Sequence, residues 1–141
     1  MKKILVPIDG SLSSNKALEK AKEIAKAFDS KVVLVNVIAV FPSAHPYPLS
    51  EGLQLSLLME SRANSRRILE KAKDYFSDME DKVETLLLEG TVAEEIINYA
   101  NNDENKIDLV IMGSKGMGGL QNIMIGSVTR KVAIQVEKPI L

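Results

Sequence analysis

Cysteine is absent from this 141-residue chain, and histidine occurs once, at His45. The first absence excludes disulfides, thiol catalysis and cysteine-ligated metals, and the second excludes a multi-histidine metal centre within one chain. Neither sign of charge dominates: 18 Lys and Arg stand against 19 Asp and Glu, for a formal net charge of -1. The chain therefore lacks the broad basic footprint of a nucleic-acid or membrane-surface binder. Long hydrophobic runs are missing as well. The longest, Val32 to Phe41, is interrupted by Asn36 and falls far short of the roughly 20 apolar residues that span a bilayer. Met1-Lys-Lys passes straight into Ile4-Leu-Val-Pro-Ile8, with neither a signal-peptide core nor a small-residue cleavage site. A soluble cytoplasmic protein is the expectation.

What is present is regular alternation. The length suits one domain, residues 1–141, with no internal repeat and no linker. Ile4 to Ile8 is a continuous apolar run closed by the turn chemistry of Asp9-Gly10-Ser11. From Ser13 the period becomes helical, with Ala17, Leu18, Ala21, Ile24, Ala25 and Phe28 on one side and Ser13 or Ser14 as N-cap. Val32 to Ile38 is apolar on both faces, the pattern of a strand covered on each side in a parallel sheet. Residues 39–50 hold Pro42, Pro46 and Pro48 and form an irregular excursion. A long helix is expected from Glu51 to Phe76, with Leu55, Leu58, Met59, Ile68, Leu69, Ala72, Tyr75 and Phe76 on its apolar side. Strands follow at Val83 to Leu88 and Leu109 to Met112, a helix between them at Val92 to Asn101, and a fifth, short strand at Pro139-Ile-Leu141. Such an order predicts an α/β fold: an open parallel five-stranded sheet with right-handed crossovers and helices on both faces. Ligands of such sheets sit beyond the C-terminal strand ends.

One motif carries functional information. Gly113-Ser-Lys-Gly116 follows the fourth strand, and after nine residues Gly126-Ser127-Val128-Thr129 opens a helix running to about Gln135. Side-chain-free loop positions and the unpaired N–H groups of a helix start together suit a phosphate. The chain has no Gly-x4-Gly-Lys-Ser/Thr, and Asp9-Gly-Ser11 stands where a dinucleotide fold would carry Gly-x-Gly-x-x-Gly. Each residue also has a plainer reading. Asp9 would cap its own turn, Val37 would be core, Lys115 a solvated loop charge and Ser127 an N-cap. His45 reads as an exposed loop residue. Arg62, Arg66, Arg67, Lys71 and Lys73, interleaved with Glu60, Glu70 and Asp74, read as a solvated helix face.

The spacing Gly-x2-Gly-x9-Gly-Ser, filled by Gly113, Gly116, Gly126 and Ser127, resembles the glycine signature of the nucleotide-binding universal stress proteins. Lys3 to Ser11 and Asp108 to Ser114 resemble that family's first and fourth strands, so the likeness spans essentially the whole chain. It implies a Rossmann-like sheet of the adenine nucleotide alpha hydrolase type, with strand order 3-2-1-4-5. It also implies bound ATP, with adenine near Asp9 and Val37 and phosphates on Gly113, Gly116, Gly126, Ser127, Val128 and Thr129. Pro7 and Met112 join the implied nucleoside pocket, beside which Met117 and Met124 also fall, and Lys115 would reach a phosphate as a point charge. Mg²⁺ or Mn²⁺ would travel on the phosphates. Such proteins commonly form homodimers through the last strand. Three functions stay open: a stress-response regulator that binds ATP with little or no turnover, a slow ATPase or phosphotransferase on the same site, and a dimerisation module. No catalytic base is identifiable beside the phosphate loop, which favours the first.

Overall fold

The computed structural model describes residues 1–40, 49–115 and 126–141. Gly116, His45, Met117 and Met124 lie outside them. In chain order the elements are β1 (Lys3–Pro7), α1 (Leu12–Phe28), β2 (Lys31–Ala39), α2 (Glu51–Asp74), a 3₁₀ segment (Ser77–Lys82), β3 (Val83–Gly90), α3 (Val92–Asn101), a short 3₁₀ turn (Asp103–Asn105), β4 (Leu109–Val110) and α4 (Ser127–Gln135). The strands form one parallel sheet ordered β3-β2-β1-β4.

Alternation within the apolar strands explains the layering. Ile4 and Val6 pack with Val32, Leu34, Ala21, Leu69 and Phe76 on the face covered by α1 and α2. Leu5, pointing the other way, joins Val33, Val35, Ile96, Ile97 and Val132 beneath α3 and α4. Both faces are dry, as continuous apolar strands require.

Among the described residues the sheet has four strands where the sequence predicts five. Residues 139–141 nevertheless occupy the fifth position, beyond β4, as an isolated parallel bridge between Val110 and Ile140. Val110 N donates to Pro139 O (2.9 Å), Leu141 N to Val110 O (2.9 Å) and Met112 N to Leu141 O (3.1 Å). Three bonds hold the segment to the edge without making a ladder. At the other end of β4, Asp108 accepts from the main-chain N–H groups of Lys2 (2.7 Å) and Lys3 (3.0 Å), clamping the start of β1. Those two bonds hold its carboxyl below the ordinary carboxylate range.

Two helices differ from expectation. α1 is capped by Ser11, whose hydroxyl accepts from Ser14 N (3.1 Å), rather than by Ser13 or Ser14. Ser14 is committed elsewhere, its hydroxyl accepting from Asp9 N (3.2 Å). α2 ends at Asp74, and only its second half packs: Leu69 and Ala72 are buried, while Leu55 and Met59 are 56% and 60% exposed. The cause is geometric. Arg62 pairs with Glu89 (2.6 Å) near the C-terminal end of β3, and Ser65 reaches Asn36 near that of β2. Residues 51–61 therefore overhang the sheet by roughly 16 Å at 1.5 Å per residue. Among the described residues no helix is long and apolar enough to cross a membrane.

Candidate functional site

A cleft of about 450 Å³ opens at the C-terminal ends of β1, β2 and β4. This is where chain order reverses, β2 and β3 lying to one side of β1 and β4 to the other. Pro7 and Asp9 reach it from β1, and Val37 from β2. Met112, Gly113 and Lys115 come from the segment after β4, and Gly126, Ser127, Val128 and Thr129 from the start of α4. Every anticipated site residue within the described segments thus lines one cavity, and Gly116 falls outside those segments. Ser14 and Asn36 also line it, as do Val92 and Ile96 of α3. The last two carry only a core signal in the sequence, since an apolar pair at helical spacing says nothing about a cleft.

The two ends of the cleft differ in character. At the β1 end, Gly10 takes φ +83°, a left-handed turn that favours glycine. This turn lets the Asp9 carboxylate accept from Ser11 N (2.9 Å). Asp9 therefore does cap its own turn, while remaining a wall of the cleft. Beside it, Asn36 is buried and bonded at both ends of its amide: the nitrogen donates to Ile8 O (2.7 Å) and the oxygen accepts from the Ser65 hydroxyl (2.5 Å).

At the α4 end the first intrahelical bond is Arg130 N to Gly126 O (2.9 Å). The N–H groups of Ser127, Val128 and Thr129 precede it, at the positive end of the helix dipole. The helix cap is Gly126, with φ −61° and ψ 154°, and Ser127 is the first helical residue rather than the cap. Its side chain is exposed. Thr129 is used differently. Its hydroxyl donates to Gly113 O (2.7 Å), and Gly126 N donates to Ser114 O (2.7 Å), so the start of α4 grips the loop after β4.

Gly113 has a steric role. A Cβ there would lie 2.6 Å from Ser13 Oγ and 2.7 and 2.8 Å from the carbonyl carbon and oxygen of Ser13. The glycine admits the first turn of α1 against the loop. Asp9 and Lys115 are the only charged residues lining the cleft among those described. No cluster of three or more His, Asp or Glu is placed to hold a metal ion among them. A second groove, of about 600 Å³, runs between α1 and α2 and shares Ile8, Asp9 and Ser14, but none of the described residues of the 113–129 motif lines it.

A glycine-flanked helix start at a strand-order reversal agrees with the match of the universal stress protein family model to residues 1–141. The chain belongs to the universal stress protein family. It is 37% identical over 141 residues to universal stress protein MJ0531 of Methanocaldococcus jannaschii, covering 99% of this chain and 80% of that one. Universal stress protein UspA from Lactobacillus plantarum superposes with a TM-score of 0.86 at 22% identity, over 99% of this chain and 95% of that one. A family member from Arabidopsis thaliana solved with AMP bound has a TM-score of 0.71 at 18% identity, over 100% of this chain and 90% of that one. One from Archaeoglobus fulgidus in complex with dAMP has a TM-score of 0.71 at 19% identity, over 100% and 96%. At these identities the structural likenesses establish the fold.

Proposed function

We propose that this universal stress protein is a cytoplasmic regulator that binds ATP and responds to it as a switch, with little or no turnover. The observation that carries the reading is the cleft itself: Asp9 and Val37 at one end, the N-terminus of α4 and Lys115 at the other. Adenine and ribose would lie against Pro7, Val37 and Met112. The phosphates would meet the first N–H groups of α4, the Ser127 hydroxyl and the Lys115 ammonium. Family members with AMP and dAMP bound support an adenine nucleotide as the ligand class. Asp9 is the only carboxylate lining the cleft among the described residues, and its commitment to Ser11 N favours binding over base catalysis. A divalent cation would ride on the phosphates.

Nucleotide released from the denatured, purified protein and identified by chromatography tests the reading directly, with calorimetric titration of ATP beside it. Absence of both a co-purifying nucleotide and ATP binding would overturn it. Gly126→Val gives the sharper arm, because the φ and ψ of Gly126 are open to any residue. The variant should fold and lose ATP affinity. The homodimer belongs to the same proposal, with residues 139–141 at its edge, and sedimentation as a monomer with and without ATP would remove it.

A further inference from the structure

Ser13 is not among the residues lining the cleft, yet it meets Gly113, Ser114 and Lys115 of the loop after β4. Its hydroxyl accepts from Lys115 N (3.2 Å) and lies 3.4 Å from the Ser114 hydroxyl, while its backbone is what Gly113 leaves room for. The neighbouring Ser11 hydroxyl, besides capping α1, donates to Lys115 O (3.5 Å). From the opposite side the start of α4 holds the carbonyls of Gly113 and Ser114. The segment 113–115 is thus clamped between the first turns of two helices, and Ser13 provides the side-chain bond to its last amide.

We infer that Ser13 is a positioning residue: by fixing the Lys115 main chain against α1, it aims the Lys115 side chain into the cleft at the end where an anion is taken. This deepens the proposed nucleotide reading and rests on it for the identity of the anion. Two features distinguish the bond from an ordinary surface contact. Lys115 lies half-buried, and its N–H is satisfied by the hydroxyl of Ser13, a residue not among those lining the cleft. In addition, Lys115 is the sole cation among the described lining residues, so its placement alone decides whether the cleft offers a point charge to a phosphate. A lysine on an unpinned loop would spend its four-carbon stem's freedom in solvent, and ordering it on binding would cost that entropy.

The test separates the pin from the ligand. In the free protein, amide exchange of Lys115 should be protected. It should become fast in Ser13→Ala, stay protected in Ser13→Thr, and leave the Ile111 amide, which bonds Leu5 O (2.9 Å), unchanged in both. With ligand, Ser13→Ala should weaken ATP binding roughly five- to tenfold, the worth of one lost hydrogen bond. It should leave adenosine, which has no phosphate, unaffected, add nothing on top of Lys115→Ala, and be rescued by Ser13→Thr. A Lys115 amide unprotected in the wild type, or equal losses for ATP and adenosine, would overturn the inference. If the wild type binds no adenine nucleotide, the function reading fails while the exchange result still judges the pin.

Discussion

Gly113→Ala isolates what the first glycine of the motif is for. The added Cβ would stand 2.6, 2.7 and 2.8 Å from Ser13 Oγ, C and O, each inside the distance that real Cβ atoms keep. Two of the three obstacles are backbone atoms of a helix, so relief requires α1 and the loop after β4 to part by about half an ångström or more. Overpacking of this kind costs about 1–3 kcal/mol. Loss of the Lys115 N to Ser13 Oγ bond adds about 1 kcal/mol. Against these stands the stiffening of the unfolded chain by alanine, worth about 0.4–1 kcal/mol in favour of the variant, since Gly113 does not occupy the left-handed region. The balance is a destabilisation of about 1–4 kcal/mol, read as a lower urea midpoint with an unchanged m value. A midpoint equal to or above the wild type would refute the steric argument and return Gly113 to a role in ligand approach alone.

Two further outcomes follow from the same geometry. Asn36→Ala leaves Ile8 O and the Ser65 hydroxyl without their partner beneath the cleft and should cost about 1–3 kcal/mol in urea unfolding. Adding Ser65→Ala should cost less than the sum of the two single changes, and strict additivity would argue against the network. The Asp108 carboxyl titrates below its ordinary value because Lys2 N and Lys3 N donate to it in the folded chain. Its contribution is therefore fully present above the unfolded carboxyl value, near pH 4, and is lost as pH falls through the lower folded value. Asp108→Asn should lower the urea midpoint at pH 7 and flatten its decline below about pH 4. An acid limb identical to the wild type would exclude the clamp.

The order of elements was legible because strands buried on both faces and helices with one apolar side carry unmistakable periods, as in Val32 to Ile38 and Ala17 to Phe28. The cleft was legible where chemistry is local: Asp9-Gly10-Ser11 is turn chemistry and Gly126-Ser127 is helix-start chemistry, whatever surrounds them. Three facts were not. Leu55 and Met59 have the spacing of a buried face, but α2 meets the sheet only from about Arg62 onward, and overhang is a property of where the sheet ends. Val92 and Ile96 wall the cleft because α3 crosses that face, which no feature of their own spacing reveals.

The third is the division of labour inside the motif. By itself the sequence determined that this chain folds as a parallel α/β sheet with a glycine-flanked loop and a helix start after its fourth strand, since hydrophobic period and turn chemistry depend on neighbours along the chain. Only the tertiary structure decided that Gly113 makes room for α1, that Thr129 holds a loop carbonyl and that Ser13, distant in sequence, pins Lys115. The Gly113 and Ser13 roles depend on contacts across about 100 positions of chain and the Thr129 role on one across 16, and contacts between separate elements are fixed by packing, which local pattern does not encode.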